Sequence, residues 1–255
     1  MRALKWLFLI VVLLVLIGGV FAWTMPAEFA YRMVGARMAP ALLSGVQGTV
    51  WDGRADGLSV FGRDLGEIDW RVSKTPMLHG ETVADLHIQG TDIEATGIVT
   101  RAFGGGISLR DVRFRFPASL VAPSLDIPAL KLLGTITGAL NEARLVGGIL
   151  QDATGSARWS EAGVTGQAEA RFSDILIDFS SKPDGSITGV AKDDGQGNLE
   201  VNGLFDVTRD AFNAEVKLSA RNGDPRVLDT LRYVGQPQPD GSSNLIVHGK
   251  LFQLF

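Results

Sequence analysis

Between residues 199 and 218 apolar and polar side chains change places at every step, and this constrains the fold more than any other feature. Leu199, Val201, Phe205 and Val207 hold odd positions, opposite Asn198, Glu200, Asn202 and Asp206. Phe212, Ala214, Val216 and Leu218 hold even ones, opposite Asn213, Glu215, Lys217 and Ser219. Thr208-Arg209-Asp210-Ala211 joins the two runs. A period of two sends successive side chains to opposite faces of a strand, so the pair predicts an antiparallel hairpin with one apolar face. Gly66, Ile68, Trp70 and Val72 alternate in the same way with Glu67, Asp69 and Arg71. So do Leu86 and Ile88 with Asp85, His87 and Gln89, and Ile175, Ile177 and Phe179 with Asp174 and Asp178. Leu245, Val247 and Leu251 give one more strand. Ile107 and Leu109 are odd but Val112, Phe114 and Phe116 even, a phase slip that predicts a bulge or tight bend near Arg110-Asp111.

No long amphipathic helix separates these runs. A parallel sheet needs crossover helices, so the chain is predicted to be mainly β: a curved antiparallel sheet in meander order, open or half-barrel-like. The 31 Gly exceed ordinary usage and are spread along the chain, which predicts many turns and kinks. One short helix is marked near the end, with Asp224 as N-cap, Pro225 as first residue, Leu228 and Leu231 as its face and Gly235 as its stop. Residues 117–134 hold Pro117, Pro123 and Pro128 among Leu120, Val121, Leu125, Ile127, Leu130, Leu132 and Leu133. They read as a connection between two sheet halves. A loose echo, Gly48 to Gly53 against Gly155 to Ser160, raises the possibility of a repeat.

From Trp6 to Pro26 no residue is charged, a run of about the length that crosses a bilayer as a helix. Arg2 and Lys5 precede it and Trp6 and Trp23 stand at its ends, as the positive-inside rule and the aromatic belt require. Its apolar core is longer than a cleaved signal peptide usually carries, which favours an uncleaved anchor. Both readings send the remainder out of the cytoplasm. Phe29, Met33 and Val34 then share a helical face until Pro40. The expected organisation is therefore a basic start and anchor over 1–26, a juxtamembrane helix over 27–44 and a β-rich domain over 45–255.

Gly48-Thr49-Val50-Trp51-Asp52-Gly53 stands where the membrane-like segment hands over to the strands, and Asp69-Trp70 follows it. Asp52-Gly53 fits a hairpin turn, and Trp51 and Trp70 are expected to anchor the first layer of the core. Catalysis finds no candidates. With 0 Cys there is no disulfide, thiolate nucleophile or cysteine zinc site. His79, His87 and His248 form no spaced metal pair, and His87 beside Asp85 reads as a solvated strand residue. Gly104-Gly105-Gly106 lacks the Lys and following helix of a phosphate loop and reads as a hairpin turn. Asp193 to Asn198 lacks the distal Glu of a calcium loop and reads as a turn. Arg110, Arg113 and Arg115 read as one outward strand face. A net charge of −4 argues against nucleic acid as a partner. No cofactor, metal or catalytic residue is expected.

Taken in order, these elements resemble protein N of the bacterial type II secretion system. They are the basic start and single anchor, Pro26-Ala27, Gly45 to Gly53, Asp69-Trp70, Gly155 to Trp159, Asp194 to Leu199, the Leu228 to Gly235 helix, Asp240-Gly241 and Gly249-Lys250-Leu251. The block Gly48, Thr49, Val50, Trp51, Asp52, Gly53 is the most specific; Gly195-Gln196-Gly197 departs from the pattern, where adjacent glycines are expected. The resemblance implies an inner-membrane, single-pass protein with a periplasmic β domain. It would serve export of folded proteins across the outer membrane through contacts with other secretion components. The family has no catalytic residues to carry over. One-sided strands and the apolar connection leave a second expectation open, an apolar groove that handles lipid or another hydrophobic ligand.

Overall fold

The computed structural model describes residues 23–35, 38–102, 105–120, 130–147, 149–166, 169–208 and 211–250. Among these, fifteen strands form one antiparallel sheet. In chain order they begin with β1 (Ala41–Gly48), β2 (Asp52–Val60), β3 (Arg63–Ser73), β4 (Glu81–Gln89), β5 (Glu94–Ala102) and β6 (Ile107–Pro117). Next come β7 (Leu130–Val146), β8 (Ile149–Gly166), β9 (Ala170–Arg171), β10 (Ile175–Ser181) and β11 (Ile187–Asp193). The last are β12 (Leu199–Val207), β13 (Ala211–Ala220), β14 (Gln236–Pro237) and β15 (Ser243–Lys250). Each long strand pairs with the next in sequence; two-residue β9 pairs beside β8, and β14 lies outside β15. The path has two ends, so the sheet is open.

One row of direct cross-strand partners runs the whole path. It passes from Val46 through Ala55, Ile68, Ile88, Ala95 and Phe114 to Gly138. It continues through Ala157, Ile177, Ala191, Gly203 and Val216 to Leu245. Every member is apolar or glycine. Because a strand slipped by one residue would turn its whole apolar set to the other face, this row shows that hydrophobic patterning sets the register throughout. The phase slip at Arg110-Asp111 keeps it intact. There Asp111 takes a φ of 51°, the β5–β6 register shifts, and Val112, Phe114 and Phe116 return to the apolar side. Arg110, Arg113 and Arg115 point outward as expected.

The row also crosses the region expected to join two halves. β6 pairs with β7 from Ile107/Leu145 to Pro117/Thr135, so the sheet is not divided there. The connection is a 3-10 turn, Ala118–Leu120, followed by residues 121–129, which lie outside the described set. Leu132 and Leu133 belong to a strand, with Leu132 buried. The Gly48/Gly155 echo is not a structural repeat: Gly48 ends a strand, whereas Gly155 and Trp159 lie inside β8.

The helix expected over 27–44 is shorter. Helix α1 spans Ala27–Val34, and Ala41 to Ser44 pair with β2 instead. Gly35 ends the helix and Pro40 cannot continue one, which frees the next residues for the sheet. A four-residue helix α2 (Lys74–Met77) follows β3. Helix α3 (Pro225–Leu231) has the cap foreseen: the Asp224 carboxylate accepts from the N–H groups of Arg226 and Val227, and Gly235 takes a φ of 68° beyond it. Its buried residues are Val227, Thr230 and Leu231, with Leu228 only half-buried, and Val234 is buried in the turn beyond its end. Of these, the apolar Val227, Leu231 and Val234 pack together. Those three side chains close the main core over Ile136, Val164, Ile175, Leu199, Val201 and Leu218. Each is worth about 1.5–3 kcal/mol of transfer free energy.

The uncharged run from Trp6 enters the described residues only at Trp23, so the anchor expected over 1–26 lies almost wholly outside them. Among the described residues no helix is long and apolar enough to cross a membrane.

Candidate functional site

The six residues of the signature come together at one joint. Gly48 and Gly53 are cross-strand partners, and Gly53 faces Trp70 on β3. The positive φ falls on Gly48, at 80°, so Asp52 and Gly53 open β2 and the turn itself is Thr49-Val50-Trp51. The Thr49 hydroxyl oxygen accepts from the N–H groups of Trp51 (3.3 Å) and Asp52 (3.1 Å), and the Thr49 N–H donates to the Asp52 carbonyl at 2.8 Å. Gly53 is required for space. A Cβ there would lie 2.6 Å from the Trp70 ring and 2.7 Å from the Thr49 carbonyl oxygen.

Three other segments are tied to this turn. The Val50 N–H donates to the Met25 carbonyl at 3.1 Å, and Pro26 bridges Thr49. The Val72 N–H donates to the Trp51 carbonyl at 2.7 Å. Lys74, the first residue of α2, holds its ammonium 3.6 Å from the Trp23 ring centre and 5.4 Å from that of Trp51. Trp51 is thus half-buried at the end of the sheet, sharing a cation with Trp23, rather than part of a core layer; Trp70 is half-buried on the apolar face. The joint fastens the N-terminal segment to the first three strands. Nothing in the spacing of residues 23, 51 and 74 could have shown that these side chains meet.

The two sheet edges differ. On β1 the Leu43 N–H is taken by the Tyr31 hydroxyl of α1 at 2.9 Å, so helix α1 guards that edge. On β15 the two-residue β14 pairs with Ser243 and Asn244 only. Beside this edge, on the polar face, lies a cleft of about 820 Å³ lined by Asp178, Thr188, Leu204, Glu215, Ile246 and His248 among others. Val190, Leu204, Glu215 and Ile246 are successive cross-strand partners across it, and Leu204 is 67% exposed. The alternation of the sequence placed Leu204 and Ile246 on the solvent face, and their apolar character was the signal that could have marked this patch. A second polar-face cleft, about 540 Å³, is lined by Asp52, Asp69, Arg71, Asp85, His87 and Asp111 among others.

Among the described residues, the candidates for chemistry do not gather into one group. His87 partners Asp69 and Thr96, and His248 Nδ1 lies 2.9 Å from the Asn213 side-chain oxygen. No three metal-binding side chains cluster among the described residues. Asp193 closes a turn. It accepts from the N–H groups of Gly195 and Val201, both at 2.9 Å, and pairs with Arg221 at 2.5 Å. Burial raises its pKa, but the Val201 N–H, Arg221 and the Gly195 N–H together bring it below the ordinary value. Asp240 is held down to about 2 by the Ser242 hydroxyl and N–H and by Lys217.

The sequence profile described as type II secretion system (T2SS), protein N matches residues 39–245. The type II secretion system protein N of Vibrio cholerae serotype O1 (strain ATCC 39315 / El Tor Inaba N16961) is 25% identical over 208 residues, covering 78% of this chain and 80% of that protein. No solved structure matches the chain. With the profile spanning nearly the whole described sheet, the chain belongs to the type II secretion system protein N family.

Proposed function

We propose that this component of the type II secretion system is non-catalytic and anchored in the bacterial inner membrane. Its N-terminus is cytoplasmic and its sheet periplasmic, and it supports export of folded proteins by contacting other secretion components. Family membership over residues 39–245 carries this reading. The uncharged run from Trp6 to Pro26 behind Arg2 and Lys5 supports the anchor and its direction. For the contacts, β15 is the more open of the two described edges, and Leu204 and Ile246 lie beside it; an added strand would extend the sheet there. The lipid-groove reading gains no support from the two clefts described, because both open on the polar face.

The chain has no cysteine, so a single one can be introduced cleanly. A cysteine-directed cross-linker on Ile246→Cys or Leu204→Cys in intact cells is expected to join the chain to other secretion components, and the same probe at Asn222→Cys is not. Equal cross-linking at all three positions would contradict the edge as the contact.

A further inference from the structure

Exposed apolar side chains stand on the two elements that meet at the joint. Trp23, Phe29, Met33, Met77 and Leu78 are all substantially exposed, Leu78 at 84% and Met33 at 68%. They come from two distant parts of the chain. Trp23 and α1 precede the sheet, whereas Met77 and Leu78 follow β3. The Lys74 ammonium on the Trp23 ring brings the two parts together, and the Pro26–Thr49 bridge fixes α1 beside the same turn. These side chains therefore flank one corner of the sheet, where α1, the β1–β2 turn and α2 meet.

What covers this corner follows from where the chain comes from. Trp6 to Pro26 is uncharged, and its last residues enter the structure at this corner. A span in that run would deliver the corner to the membrane–water boundary with no linker between. The chemistry fits that depth: a Trp ring with a Lys ammonium on its face, flanked by Met, Leu and Phe, is the pairing that settles at a bilayer interface. Two carboxylates there are neutralised in pairs, Glu28 with Arg32 at 2.6 Å and Asp52 with Arg71 at 3.6 Å.

Resting on the anchor proposed above, we infer that α1 and α2 dock this corner onto the phospholipid surface, so that the sheet is held at a set orientation to the membrane. The occupant is the bilayer itself, entered by Trp23, Phe29, Met33, Met77 and Leu78 to interfacial depth.

The test uses the full chain in vesicles of phosphatidylethanolamine and phosphatidylglycerol. An environment-sensitive fluorophore is placed on Leu78→Cys, Met33→Cys, Leu204→Cys or Ile246→Cys. All four positions are exposed, so labelling leaves the fold intact. Spin-labelled lipid is expected to quench the probes at 78 and 33 at least about twofold more than those at 204 and 246, with blue-shifted emission at the first pair. A chain that survives alkaline washing of the vesicles but shows equal quenching at all four positions overturns the docking and leaves the anchor standing. Probes at 78 and 33 that are shielded from water yet untouched by lipid quencher also overturn it, in favour of a protein partner. A chain released by alkaline washing overturns the anchor and the docking together.

Discussion

Four aromatic rings lie over glycines directly across a strand boundary: Trp70 on Gly53, Phe114 on Gly138, Phe179 on Gly155 and Phe205 on Gly189. The glycines leave room that any side chain would fill. At Gly189 a Cβ would lie 2.2 Å from the Phe205 ring and 2.7 Å from the Asp178 carbonyl oxygen. Gly189→Val is therefore expected to destabilise the sheet by about 2–3 kcal/mol in urea titration, and Phe205→Leu in the same chain to recover part of that loss. If the double variant merely adds the two losses, the ring and glycine are not coupled. Asp193 is the other informative residue, its side chain being 8% exposed. Its pKa is lower in the fold than its ordinary 3.8, so its contribution is present above that value and lost as pH falls through the folded one. Asp193→Asn is expected to cost about 2 kcal/mol at neutral pH. Thermal melts of parent and variant should converge in strong acid; a constant gap would contradict the assignment.

At the scale of elements, alternation alone placed β3, β12, β13 and β15, and the phase slip at Arg110-Asp111 placed a bulge. These succeed because half-buried strands need a period of two, and because a bulge is the only way to change phase and keep one face apolar. Helix α3 was legible from its ends, since a cap, an N1 proline and a C-terminal glycine are local chemistry. Its buried side is Val227, Thr230 and Leu231, with Leu228 half-buried. Val227→Ala is expected to cost about 2 kcal/mol, as Val227 is 1% exposed over the core. A loss under 0.5 kcal/mol in chemical denaturation would mean that α3 does not close that core. Glycines do make turns, as at Gly62, Gly80, Gly185 and Gly195 with their positive φ, but that is only part of their use. Many lie within strands, where the partner that needs the space is known only once register is known. The joint is hidden from the sequence for the same reason: Trp51 stands half-buried near Lys74, which also lies on Trp23, and residues so far apart in the chain give no local sign of meeting.

At the scale of the molecule, the strands among the described residues form one open sheet whose apolar row passes unbroken from β1 to β15. The apparent division at residues 117–134 comes from three prolines and an apolar run, which composition cannot separate from a connection between two paired strands. What the chain is for was legible mainly through the order of its short motifs, with Gly48 to Gly53 foremost, and the profile match over residues 39–245 places it in the type II secretion system. The chain is proposed as a working part of that machine. The most direct measurement is the distribution of secreted hydrolases in a strain carrying a clean deletion of this chain, with the levels of the other secretion components checked alongside. Hydrolase activity is expected to be trapped in the periplasm and restored to the medium by the full chain. Normal export with unchanged partner levels would contradict it.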